Sequence, residues 1–372
     1  MSDPVNLASE SGVSPSPDSE QHLDRRYVTA VVSAISVITL TAVAFLVPVP
    51  YVTMRPGPVF DTLGDFDGQR MLEVDPSVTT YPVSGSLDFT TVSVTSVSSD
   101  VTFVEAIEGY FDDDVNVVPR SLIYPEGTTA DQSQEASAAQ LSSSKDSSRV
   151  AALRAAGYTV PETVVVATVD PEGAGAEVLE PDDEILAVNG QPVAAPAEAV
   201  DLIGSLTPGD DVTLSIRRDG QTSDLTITTR PAADDPDVPR VGVGLGSTFT
   251  FPFEITNNVG DSIGGPSAGS MFALAIYDLL TPGELTGGLR VAGTGEIDAD
   301  GTVGSIGGVR QKMAGAAEDD VEVFLVPAEN CSEAATGTDF GMTLVEVGTL
   351  QDAIDALEAL AEDPDAQVPT CE

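Results

Sequence analysis

The alternation of apolar and polar positions changes period along this chain, and each period predicts a different element. Tyr27 to Val47 runs through 21 residues with no charge and no proline, close to the roughly 20 needed to cross a bilayer as a helix. Residues 1–24 are rich in Ser, Pro, Asp and Glu and read as a disordered tail. After the apolar run, Pro48, Pro50, Pro56 and Pro58 stiffen the exit. Leu87 to Phe103 begins with alternating β-branched residues, as in a half-buried strand, and Ala136 to Ala156 predicts a helix with Lys145 in its Ser-rich middle. From Thr163 to Arg230 the period shortens. Strands are expected at Thr163–Val169, Glu184–Val188, Val212–Arg217 and Asp224–Thr229, with turns at Asp170–Gly175, Asn189-Gly190, Pro208-Gly209 and Asp219-Gly220, and one helix at Ala197–Leu206. Helical spacing returns at Met271–Leu280, Val309–Ala317 and Thr349–Leu360, where Leu350, Ile354, Leu357 and Leu360 share a stripe and Thr349 is placed to cap.

Charge adds orientation and excludes a class. Arg25 and Arg26 precede the apolar run and only Arg55 lies close behind it, which puts the N-terminal tail in the cytoplasm and the remainder outside it. The alternative is a cleaved signal peptide. The run is longer than a usual signal core, and a small-x-small site occurs only within it, at Ala42-Val43-Ala44, which favours a retained anchor. A formal charge of −45, from 60 acidic and 15 basic residues, excludes a general nucleic-acid binder. The acidic runs at 112–114, 182–184, 210–211 and 319–320 read as solvated surface; none has the spacing of a calcium loop, and no metal site is expected. Cys331 and Cys371 would form a disulfide in an oxidising compartment, with two unpaired thiols as the alternative.

Candidate chemistry comes from scarcity. The chain has two lysines, Lys145 and Lys312, and one histidine, His22, ahead of the apolar run. A serine–histidine triad is therefore unavailable in the body of the protein. Gly265-Pro266-Ser267-Ala268-Gly269 places a serine where a helix starts and its first amides have no partner within the helix. Gly307-Gly308-Val309-Arg310-Gln311-Lys312 places a lysine in the first turn of another helix, where the dipole disfavours an ammonium. Serine and lysine in this arrangement predict a hydrolase in which Lys312, as free amine, activates Ser267. Read singly, each has a plainer explanation, a Gly-Pro-Ser helix start and a surface lysine. Against the second stands the use of arginine for nearly all other positive charge.

Two family resemblances follow. Pro181-Asp-Asp-Glu-Ile-Leu-Ala-Val-Asn-Gly190, with the strands and helix around it, resembles a PDZ domain of the bacterial protease-associated type, with Asp182 where glycine is common. This implies capture of an extended peptide and its terminal carboxylate, with the binding loop expected near Gly157-Tyr158-Thr159-Val160. The motifs at 264–269, Thr294-Gly-Glu-Ile297, 301–312 and Val326-Pro-Ala-Glu-Asn330 closely resemble the proteolytic domain of the Lon family. By that resemblance Ser267 is the nucleophile, Lys312 the general base and Thr294 the residue that orients the lysine, while Glu296 and Asn330 have structural roles. Many Lon enzymes carry an acidic residue just before Gly-Pro-Ser; here Gly264-Gly265 stands instead.

Neither lysine lies in a G-x-x-x-x-G-K-[ST] loop, so hydrolysis is expected to run without ATP or any other cofactor. The whole arrangement resembles the membrane-bound, ATP-independent Lon-like proteases with a PDZ domain. The expected fold class is α+β, divided into a cytoplasmic tail (1–24), a transmembrane helix (25–47), strands and a helix belonging to the Lon-like fold (48–156), a PDZ-like domain (157–232), a Lon-type proteolytic domain (240–362) and a C-terminal tail (363–372). The expected activity is endoproteolysis of unfolded or tethered proteins at the outer face of the cytoplasmic membrane, with protein or peptide substrates as partners. The resemblance also implies a homo-oligomer, trimer or hexamer. A non-catalytic membrane scaffold that binds peptides through the PDZ-like unit is the alternative, and cleavage of its own chain alone a third.

Overall fold

A computed structural model describes residues 25–260, 262–338 and 340–371; the expected tail at 1–24, with His22, lies outside the described residues. The apolar run is a helix, α1 (Arg25–Leu46), with a mean hydropathy of 1.6 over Arg25–Val43 and nothing packed over that stretch. It is long and apolar enough to cross a bilayer.

The larger body is a mixed α/β fold. In chain order it begins with β1 (Tyr51–Asp61), β2 (Ser86–Val94), the short helix α2 (Phe103–Tyr110), β3 (Asn116–Pro119), the short helix α3 (Arg120–Ile123) and the long α4 (Ala130–Ala155). α4 starts six residues ahead of the expected position because Thr129 and Gln132 form a reciprocal cap. The smaller body follows: β4 (Glu162–Val169), β5 (Glu184–Val188), helix α5 (Pro196–Gly204), then β6 (Asp211–Arg218), β7 (Gln221–Thr228) and β8 (Val243–Phe249). The chain then returns to the larger body with α6 (Gly269–Leu280), β9 (Arg290–Gly293), α7 (Val309–Glu318), β10 (Val323–Pro327), β11 (Thr343–Val347) and α8 (Leu350–Glu362).

The large sheet runs β11-β10-β9-β2-β1-β3, parallel from β11 through β2 and antiparallel from β2 to β3. α6 is its central helix, buried at ten positions including Met271, Phe272 and Leu274. α4 packs along α6, and its buried Ser144, Ser148, Ala151 and Ala152 are small residues that allow close approach. α8 has the expected stripe buried and the expected Thr349 cap, completed by Asp352.

The small sheet runs β7-β6-β5-β4-β8, antiparallel throughout. β8 pairs with β4 over Val243–Phe249, although the sequence reading assigns everything from 240 onward to the proteolytic part. The three glycines at 242, 244 and 246 hide its strand character from propensity. The small body is thus inserted between α4 and α6, and its two ends meet beside α4. There Arg154 pairs with Glu162 at 3.1 Å, Arg149 lies 4.3 Å over Phe251, and Tyr158 contacts Phe253 edge-on. Asp182 adopts φ of +71°, the left-handed conformation that glycine takes most readily.

Cys331 and Cys371 are joined by a disulfide across 40 residues, which ties the end of the chain to the helix turn after β10. Reduction should lower stability by about 2–4 kcal/mol, visible as a lower denaturant midpoint in dithiothreitol. An unchanged midpoint would mean that the bond adds nothing to the fold.

Candidate active site

Ser267 lies on the turn that enters α6. Gly265 holds φ of +89°, open to glycine at little cost, and turns the chain into Pro266. The turn is anchored on three sides. Ser144 Oγ donates to the Pro266 carbonyl at 2.9 Å, the Gly265 amide donates to the Ser137 carbonyl at 3.0 Å, and the Gly295 amide donates to the Ser267 carbonyl at 2.8 Å. The first two anchors come from α4, whose Lys145 also donates to the carbonyls of Asn257 and Val259. A Cβ on Gly264 would lie 2.8 Å from that of Ser137, so α4 leaves no room for an acidic side chain at this place.

Lys312 reaches the same point from the other side of the sheet. α7 starts at Gly308 in the left-handed region, φ +72°, and packs on β1 where the strand register shifts between Pro56 and Val59. Gly315 lies against the Gly57 carbonyl, where a side chain would collide. The loop before α7 is clamped by Asn330, whose Oδ1 accepts from the Ile306 amide at 2.9 Å and whose Nδ2 donates to the Ile306 carbonyl at 3.0 Å.

Lys312 is 2% exposed. Its Nζ lies 2.7 Å from Ser267 Oγ, 2.8 Å from Thr294 Oγ1 and 3.2 Å from the Thr90 carbonyl. No ion pair to Lys312 occurs among the described residues. Burial therefore acts unopposed on the ammonium and pushes its pKa down from 10.5 to about 7. Thr294, fully buried, donates to the Ser267 carbonyl at 2.9 Å. Its one proton is committed there, so towards Lys312 it can only accept. A neutral amine has two N–H bonds and one lone pair. With both N–H groups donated to Thr294 Oγ1 and Thr90 O, the lone pair is left for the proton of Ser267 Oγ.

Ser267 opens on a cleft of about 540 Å³ walled by Pro58, Phe60, Thr91, Val92 and Ile263. A second cleft of about 840 Å³, reaching Ser133 and Ser137 of α4, shares Val94, Ser262, Ile263 and Gly264 with it. β9 pairs with β2 only from Ser86 to Phe89, so from Thr90 onward that edge of β2 faces the cleft.

The expected site residues Ser267, Lys312 and Thr294 are brought together. Glu296 is exposed and enters through its backbone, paired with Gly304. The carbonyl of Thr90 and the two serines of α4 left no mark in the sequence, since a backbone acceptor and a helical serine are not motifs. The segment expected as the peptide loop, 157–160, folds back onto α4. Gly157 and Tyr158 turn the chain back onto the end of α4, their amides donating to Arg154 O and Leu153 O, and Val160 is buried. A groove of the small body, about 710 Å³, lies between the outer edge of β8 and α5, with Arg240, Val241 and Gly242 at its head and Val200 and Ile203 at its side. The alternating glycines after Arg240 were the available signal.

Residues 262–355 match the Lon protease (S16) C-terminal proteolytic domain, and residues 137–229 match the PDZ domain. The chain thus carries a Lon-type proteolytic domain together with a PDZ domain, a combination that supports a serine-type peptidase. The PDZ match begins within α4, which in three dimensions packs on the proteolytic core.

Among curated proteins, a probable periplasmic serine endoprotease DegP-like from Halomonas elongata is 34% identical over 97 residues, 26% of this chain and 20% of that protein. The chain spans about a fifth of that relative's length. Similar solved structures include the PDZ domains of SdrC-like proteins from Listeria monocytogenes (24% identity, TM-score 0.21, 22% of this chain and 85% of that one) and Listeria innocua (25%, 0.21, 22% and 92%). A solution structure from Geobacillus thermodenitrificans is similar over 22% of this chain and 94% of its own, at 28% identity and a TM-score of 0.21.

Proposed function

We propose that this chain is an ATP-independent serine endopeptidase in which Ser267 and Lys312 form a catalytic dyad. The observation that carries the reading is the 2.7 Å approach of a buried amine, its pKa near 7, to Ser267 Oγ. Lys312 takes the Ser267 proton as Oγ attacks the scissile carbonyl, and returns it to the leaving amine; water then releases the acyl group by the same route. Thr294 and the Thr90 carbonyl hold the lone pair on Oγ. The amides at the entrance to α6 and its dipole meet the oxyanion. An extended substrate lies along the free edge of β2 beyond Phe89, pairing with backbone.

With no nucleotide-binding loop in the chain, substrates are already extended, unfolded or tethered. α1 spans the cytoplasmic membrane with its N-terminus inside, and the PDZ groove at Arg240–Gly242 captures substrate termini. A fluorophosphonate should label Ser267, with labelling lost in Ser267→Ala and strongly reduced in Lys312→Ala. Peptide binding without labelling in any form would favour the scaffold alternative, and a Ser267-dependent shorter chain with no other product would favour self-cleavage alone.

Thr294→Val tests the positioning. It keeps the shape but removes the acceptor for Lys312, and kcat should fall by about 10- to 100-fold with KM little changed. A kcat equal to wild type would remove Thr294 from the machinery.

A further inference from the structure

We propose that the catalytic body stands on the bilayer surface through an apolar footing built from α2, α3 and the turns beside them. This inference rests on the reading of α1 as a membrane anchor.

α2 carries Phe103, Ile107 and Tyr110 at spacings of four and three, so the three side chains share one side of the helix. They are 40%, 39% and 76% exposed, and Phe111, next in the chain, is 80% exposed. Leu122 and Ile123 of α3 are exposed as well, as is Tyr51 at the start of β1. Isolated exposed apolar residues are ordinary, but a contiguous set of large ones marks a contact surface.

The position of these residues identifies the occupant. The helices that carry them, α2 and α3, adjoin Val47–Tyr51, the five residues by which the chain leaves α1. Phe103 donates its amide to the Val47 carbonyl, and its ring stands 6.0 Å from that of Phe45 in α1. Pro48 and Val49 pair with Thr102 and Val101, just ahead of α2. On the other flank, the amide of Arg120 donates to the Pro50 carbonyl at 2.9 Å and fixes the start of α3. A bilayer that holds α1 must therefore end at this patch. Aromatic and aliphatic side chains around a helix exit suit the depth of the headgroups.

The charges nearby fit the same placement. Glu105 and Glu108 lie on the opposite side of α2, where Glu105 is held by the amide and hydroxyl of Thr102. Asp112, Asp113 and Asp114 follow Phe111 at the rim, and the Asp114 amide donates to Asp112. These carboxylates face water above the headgroups, and contact should be closer on phosphatidylcholine than on phosphatidylglycerol vesicles. The consequence for function is a fixed height and tilt. The clefts at Ser267 then meet polypeptides held near the membrane, where a body on a loose tether would sample all directions.

The test uses the full chain in phosphatidylcholine vesicles at less than one chain per vesicle. Both native cysteines are in the disulfide, so single cysteines at Tyr110→Cys, Phe111→Cys, Leu122→Cys, Ile35→Cys and Thr222→Cys take an environment-sensitive fluorophore selectively. We expect nitroxide lipids to remove about half or more of the emission at 110, 111, 122 and 35, leaving 222 unchanged. If 35 is quenched by lipid while 110, 111 and 122 are quenched by aqueous iodide, the footing is wrong and the anchor stands. If 35 is not quenched by lipid, the anchor reading fails and takes the footing with it. Shielding of 110, 111 and 122 from both quenchers would show that a second protein surface covers the patch, which also overturns the proposal.

Discussion

Replacement of Lys312 by methionine should reduce kcat/KM on an unfolded protein substrate by at least about 10³-fold, and the double variant should do no worse than Ser267→Ala alone. The two side chains act as one unit: without the amine the hydroxyl keeps its proton, and without the hydroxyl the amine has nothing to activate. Methionine fills most of the volume of a side chain that is 2% exposed, so the loss should come without unfolding. Lys312→Arg should be as inactive, because guanidinium remains charged and offers no lone pair. A Lys312→Met variant within tenfold of wild type would show that some other group takes the proton.

The second large effect is on pH. With the Lys312 pKa near 7, kcat/KM should fall about tenfold per pH unit below 7 and level off above about 8. Stability should follow the same group. Its folded pKa lies below the 10.5 of the unfolded chain, so between about 7 and 10.5 the unfolded state holds a proton that the folded state has released, and wild-type stability gains through that window. Below pH 7 the folded protein carries the full cost of a buried ammonium, on the order of 5 kcal/mol from the size of the shift. Lys312→Met lacks that cost. Its stability advantage over wild type should be widest below pH 7 and should narrow by about 1.4 kcal/mol per unit as pH rises towards 10. A difference that does not vary with pH would mean that Lys312 titrates alike in both states.

The features legible in the sequence were those with a local cause. α1, α6, α7 and α8 follow from apolar spacing, the Thr349 cap and the glycines that precede Ser267 and Lys312. The pairing of Ser267 with Lys312 was legible because the chain uses lysine twice and has no histidine beyond residue 22. What escaped depends on tertiary contact. β8 belongs to the small sheet only because β4 is there to pair with it, and its glycines argue against a strand. A peptide loop was expected before β4, whereas the groove of the small body forms where β8 and α5 come side by side, about 40 residues apart in sequence. α4 reads as a polar helix of weak pattern; its serines matter because they face Pro266 and Gly265 across the core.

The central claim is that one amine is neutral near pH 7 while it touches one hydroxyl. With two lysines in the chain, a sample enriched in ¹⁵N-lysine gives two side-chain signals, and comparison with Lys312→Met assigns them. Titration of the folded wild type followed at Nζ should give a midpoint for Lys312 near 7, moved by Thr294→Val. A midpoint near 10.5 in the folded protein, with activity intact at pH 8, would contradict the account.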